Sequence, residues 1–129
     1  MNFLRISIVA GLALLLFACK KDPGPGGLAT IKGKVFGTDV TGSGNVKDSG
    51  YIGDTRVYIA VAGKSEPFED VRTSYDGTYE FPFLRKGSYD VWAFGECDTC
   101  NRTQMFDLKT VRISGKRETV IVEDLRIIY

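Results

Sequence analysis

Histidine is absent from all 129 residues. That removes the commonest general base, the commonest zinc ligand and every Ser–His or Cys–His nucleophile pair. Cysteine is scarce, at three, so a zinc site of four Cys or His ligands is out of reach. Excess charge is missing too: 17 Lys and Arg stand against 16 Asp and Glu, a net +1. A nucleic-acid binder needs a basic stripe to displace counterions, so no nucleic-acid partner is expected. No motif for a cofactor is present, and none is expected. From Leu28 onward there is no helical period, and turn residues recur roughly every eight to twelve positions, the spacing of short strands.

What is there begins with one apolar run, Ile6 to Leu16, behind a short stretch whose charge is Arg5. It has the length of a signal-peptide core and is too short to span a bilayer. The run closes on Leu16-Phe17-Ala18-Cys19, which resembles the lipobox of bacterial lipoproteins, with Phe17 bulkier than that pattern usually carries. The resemblance implies that residues 1–18 are a signal peptide and that Cys19 is lipidated and becomes the first residue. The partner is then a membrane, held through acyl chains that contribute about 0.8 kcal/mol per buried methylene. The expected location is the cell envelope, as an outer-membrane lipid anchor that can face the cell surface. The alternative is an uncleaved N-terminal anchor with Cys19 an incidental thiol. Loss of residues 1–18 removes Arg5 alone among charged residues and brings the net charge from +1 to zero.

Residues 19–27 hold two prolines and three glycines and no aliphatic or aromatic residue to bury, so they read as a flexible tether. Lys20-Lys21-Asp22 resembles the charged stretch that carries some gram-negative lipoproteins to the outer face of the outer membrane; a soluble spacer fits those three residues equally well. Residues 28–129 are expected to make one domain, long enough for a two-layer core.

Alternation dominates that domain. Ile31, Gly33 and Val35 share a face, as do Val57, Ile59 and Val61; Tyr79, Phe81 and Phe83; Tyr89, Val91 and Ala93. Val111 with Ile113, then Val120 with Val122, supply two more rows. A phase slip near Glu123-Asp124, as at a bulge, lets Leu125, Ile127 and Tyr129 continue inward. Pro82 removes a backbone donor and belongs on an edge strand or at a position facing away from its neighbour, the edge being favoured. Asp76-Gly77 suits a tight turn, because glycine accepts positive φ. Many short alternating strands without helices indicate an antiparallel sandwich.

The stretch Asp76-Gly77-Thr78-Tyr79-Glu80-Phe81-Pro82-Phe83-Leu84-Arg85-Lys86-Gly87-Ser88-Tyr89-Asp90-Val91 follows D-G-x-[FY]-x-F-x-x-L-x-x-G-x-Y-x-V closely, and Ile31-Lys32-Gly33-Lys34-Val35 follows I-x-G-x-V. Both resemble the carboxypeptidase regulatory-like domain. That resemblance implies an all-β fold, a seven-stranded antiparallel Greek-key sandwich of transthyretin-like type, and is nearly silent on activity. Transthyretin-related hydrolases depend on histidines, which this chain lacks. The zinc peptidases that carry such modules keep their metal in a separate domain. A Lys–Asn isopeptide bond from Lys32 or Lys34 to the last strand has no asparagine to use between residues 117 and 129.

Cys97-Asp98-Thr99-Cys100 falls between strands, with no helix following to lower a thiol pKa as redox motifs need. In an exported protein Cys97 and Cys100 are expected to pair as a loop disulfide, with little stabilisation because the loop is short. The polar stretch from Thr38 to Gly50 reads as a solvated loop. Asp39, Thr41 and Ser43 alternate there like calcium ligands, with Asp48 and Asp54 near, but Gly50 stands where a bidentate glutamate belongs. These are weak metal candidates. Tyr51, Phe68, Tyr75 and Trp92 are candidates for stacking on sugars, although aromatics on alternating strands are mostly core. The carboxylates Glu66, Glu69, Asp70, Glu80 and Asp90 are scattered, without the pairing a glycosidase requires. The expected function is non-enzymatic: a lipid-anchored module that binds, spaces or assembles something, with a protein or glycan ligand. The alternatives are a carboxylate-dependent hydrolase of extracellular glycans and a subunit of an outer-membrane complex.

Overall fold

The computed structural model describes residues 21–95 and 106–129. Its strands are β1 (Pro25–Val40), β2 (Val46–Tyr51), β3 (Arg56–Val61), β4 (Glu69–Arg72), β5 (Thr78–Leu84), β6 (Gly87–Phe94), β7 (Phe106–Ile113), β8 (Thr119–Ile121) and β9 (Leu125–Ile128). No helix occurs among the described residues. β1 is 16 residues long, against a usual strand of about five or six. That length lets its two halves take different partners. The first half pairs β5 antiparallel and β8 parallel; the second pairs β2 antiparallel and β9 parallel. The second sheet is antiparallel throughout, in the order β4-β3-β6-β7.

The inward rows of both sheets meet as one core. Ile31 and Val35, Val57 and Ile59, Tyr79 and Phe81, and Tyr89, Val91 and Ala93 are buried together with Ile113, Val122, Leu125 and Ile127. Gly33 belongs to the first row for a steric reason: a Cβ there would meet the Tyr79 hydroxyl at 2.5 Å. Between β4 and β5 the turn forms at Asp76-Gly77, with Gly77 at φ +82°. Thr78 N–H donates to the Asp76 carboxylate (3.1 Å), and Ser74 N–H to the Thr78 carbonyl (2.8 Å). Pro82 lies on β5, an edge strand bonded to β1 alone, where its missing N–H costs no ladder bond.

Several expectations are corrected. Among the described residues nine strands form, not seven, and the β1 sheet is mixed, because β8 and β9, on either side of the slip at Glu123-Asp124, both run parallel to β1. Val122 and Leu125 face inward on either side of that break. Phe83 is not in the core: it is 66% exposed with φ +59°. Leu84 takes the inward place instead, opposite both Pro25 and Ala29 where β1 bulges. β1 starts at Pro25, so the last three residues read as tether lie in the sheet. Gly24 is already fixed, its N–H donating to the Tyr89 hydroxyl (2.8 Å) and its carbonyl accepting from Arg85 N–H (2.9 Å). Thr38–Gly50 is a β1–β2 hairpin closed at Thr41–Asn45, with backbone pairing rather than a loop.

Candidate functional site

An amphipathic strand carries polar residues between its core residues. β6 does so only at Ser88 and Asp90; beyond them Trp92 and Phe94 alternate with Val91 and Ala93. Register places Trp92 beside Tyr58 on β3 and Leu108 on β7, and Phe94 beside Phe106, all on the outer face of the second sheet. Tyr58 and Trp92 stack with centroids 5.7 Å apart and planes 15° from parallel. Phe94 meets Tyr58 edge-on at 5.7 Å and Phe106 at 6.1 Å. Lys64, Ser65 and Pro67 close one side, leaving an apolar trough of about 380 Å³.

Tyr58 and Phe94 also line a second recess, of about 590 Å³, at the end of the sandwich where β6 finishes. Its wall is the 52–55 segment, held by the buried Thr73, whose hydroxyl accepts from Thr55 N–H (3.0 Å) and donates to the Ile52 carbonyl (2.8 Å). Asp54 sits at φ +56°, a conformation aspartate tolerates better than most residues. Arg72 donates to its carboxylate at 3.0 Å and to its carbonyl at 2.9 Å. Arg56 pairs with Asp70 at 3.0 Å. These exposed pairs add little stability; their effect is to orient two guanidinium groups at the rim. Tyr51 and Tyr129 complete the opposite wall. Stacking rings on one side and fixed donors and acceptors on the other suit a ligand with flat apolar faces and a hydroxylated rim.

Among the four aromatics expected to meet a ligand, Tyr51 lines the polar recess and Trp92 floors the apolar trough, only 8% exposed. Phe68 packs edge-on against Tyr89 at 6.1 Å, and Tyr75 stands alone on the Asp76-Gly77 turn. Sequence reasoning missed Tyr58, Phe94, Phe106 and Tyr129. The available signal was the second apolar row on β6.

Asp39 and Asp48 are cross-strand partners on the hairpin. The Thr41 and Ser43 hydroxyls bond each other (2.9 Å) and Asn45, serving the turn. Asp54 is in the other recess, with Arg72. Among the described residues no group of three or more Cys, Asp or Glu gathers as a metal site would need. Hydrogen bonds from backbone N–H groups hold two carboxyls below their usual range, Asp76 through Thr78 and Glu118 through Gly115 and Ser114. A glycosidase acid needs the opposite shift. Burial pushes the Tyr79 hydroxyl well above the usual phenol range; it has no hydrogen-bond partner. Cys19, Cys97 and Cys100 lie outside the described residues.

No protein-family model matches the sequence, and no curated protein does. Among solved structures, the chain is similar to a crystal structure of a candidate carbohydrate-binding protein from Pseudomonas aeruginosa, at 14% identity and a TM-score of 0.48, over 78% of this chain and 90% of that one. At that identity and TM-score the likeness transfers neither ligand nor site.

Proposed function

We propose that this chain is a lipid-anchored, non-catalytic module of the cell envelope that binds a glycan across the Tyr58–Trp92–Phe94 face. The observation that carries the reading is the continuity of that face, through Tyr58 and Phe94, with the Asp54–Arg72 recess. A pyranose ring has a C–H face to lay on the aromatics and hydroxyls to reach the recess. Membrane attachment rests on the lipobox at Cys19. For the fold we keep the carboxypeptidase regulatory-like family as our reading, supported by Asp76-Gly77 in the turn and by Tyr79, Phe81, Leu84, Tyr89 and Val91 in the core.

Affinity electrophoresis through gels containing soluble polysaccharides tests it. At least one polysaccharide should retard the protein, and Phe94→Ala and Arg72→Ala should each relieve the retardation without lowering the melting temperature appreciably. No retardation by any polysaccharide, with a wild-type dimer that Phe94→Ala makes monomeric, would make the face a self-interface instead. Polysaccharide turnover lost in Asp54→Asn would replace the module with the hydrolase.

A further inference from the structure

The opposite end of the sandwich has a different chemistry. Lys21, Arg85, Lys86 and Lys116 line one cleft with Leu28 and Leu84, and no carboxylate lines it. None of these four cations is in an ion pair among the described residues. Glu118, close in sequence to Lys116, spends its carboxylate on the N–H groups of Ser114 and Gly115. Beside the cleft stands Phe83, held outward by a left-handed backbone that a bulky residue rarely adopts. Unpaired cations flanked by an outward aromatic are what an anionic bilayer surface attracts.

Chain length then decides the orientation. Gly24 is bonded to Tyr89 and Arg85, so the leash to the membrane is only the few residues before it. Lys21 stands two positions after Cys19, a span of at most about 7 Å between Cα atoms. That is within one Debye length, about 8–10 Å, so Lys21 and the cleft it lines start where the headgroup field is not yet largely screened.

We propose that the Arg85–Lys86–Lys116 end, with Phe83 and Leu28, rests on the anionic headgroups of the bilayer that holds Cys19. The inference depends on the lipid-anchor part of the function proposed above and not on the glycan. β6 runs eight residues from this end to Phe94, at about 3.3 Å each, so the Asp54–Arg72 recess opens roughly 25 Å away, facing outward from the membrane.

The test uses the full processed chain in vesicles of phosphatidylcholine, with and without phosphatidylglycerol, and reads the acylation rate of each lysine. Lys86 and Lys116 should be protected relative to Lys47 only when phosphatidylglycerol is present, and high salt should remove the protection. Lys86→Glu should weaken the protection of Lys116 by roughly fivefold or more, with vesicle attachment and melting temperature unchanged. Acylated protein that floats with the vesicles while Lys86 reacts as fast as Lys47 in both compositions overturns the docking and leaves the anchor standing. An intact mass without acyl chains, with no flotation on phosphatidylcholine alone, overturns the anchor and the leash together.

Discussion

On the outer face of the β1 sheet two aromatic rings, Phe36 and Tyr51, lie under cations. The Arg126 guanidinium sits 5.1 Å from the Phe36 centroid and the Lys34 ammonium 4.6 Å from that of Tyr51, whose hydroxyl donates to Asp124 at 2.9 Å. Lys32 and Glu80 face each other across β1 and β5 on the same side. Across the sandwich, on β3, β6 and β7, the rings meet one another, and among the described residues no cation sits over them. The two faces use the same residue types. One is finished with hydrated charge and suits water; the other leaves a contiguous apolar surface, the kind that marks a contact site. What distinguishes the face proposed to bind from the other is the covering of the rings, not their number.

The comparison breaks altogether when the shared core fails. Phe81→Ala, beneath both faces, should cost about 3–5 kcal/mol and lower the melting temperature sharply in thermal unfolding. A smaller loss is expected from Tyr89→Phe, about 1–2 kcal/mol by urea titration, because Gly24 N–H and the Arg85 carbonyl both lose their partner. Arg126→Met sharpens the contrast: removing the cation over Phe36 should cost about 0.5–1 kcal/mol, less in high salt. Phe106→Ala, at a residue 59% exposed, should change stability by no more than about 0.5 kcal/mol yet reduce glycan retardation, so the open face loses function where the covered face loses stability. The least effect belongs to Tyr79→Phe, which deletes a hydroxyl without a partner. Stability should be unchanged or slightly raised; a loss as large as that of Tyr89→Phe would reveal a partner for this hydroxyl.

Tyr79, Phe81, Tyr89, Val91 and Ala93 were legible as core because period-two spacing survives wherever the backbone stays extended. Phe83 was not, since a single left-handed residue inverts the phase and no side-chain pattern announces it. The division of the last strand was visible as a slip at Glu123-Asp124, whereas its parallel pairing with β1 was not, because direction leaves no trace in alternation. The aromatic face hid for another reason. Trp92 stands out as a stacking candidate on its own, and only register with Tyr58, Leu108 and Phe106 shows that it and Phe94 form one outer surface. The cleft of Lys21, Arg85, Lys86 and Lys116 is assembled from three distant stretches of chain, beyond the reach of any local motif.

β1 also sets an order of events. Its residues Thr30–Lys32 and Val35–Thr38 pair with Thr119–Ile121 and Leu125–Ile128, nearly the full length of the domain away. Val122, Leu125 and Ile127 fill core positions that nothing earlier in the chain supplies. A polypeptide emerging N-terminus first therefore cannot complete its first sheet until its final residues are released, and pairings so remote in sequence form slowly. Under the export that the proposed lipid anchor requires, this delay would keep the chain threadable until it has crossed.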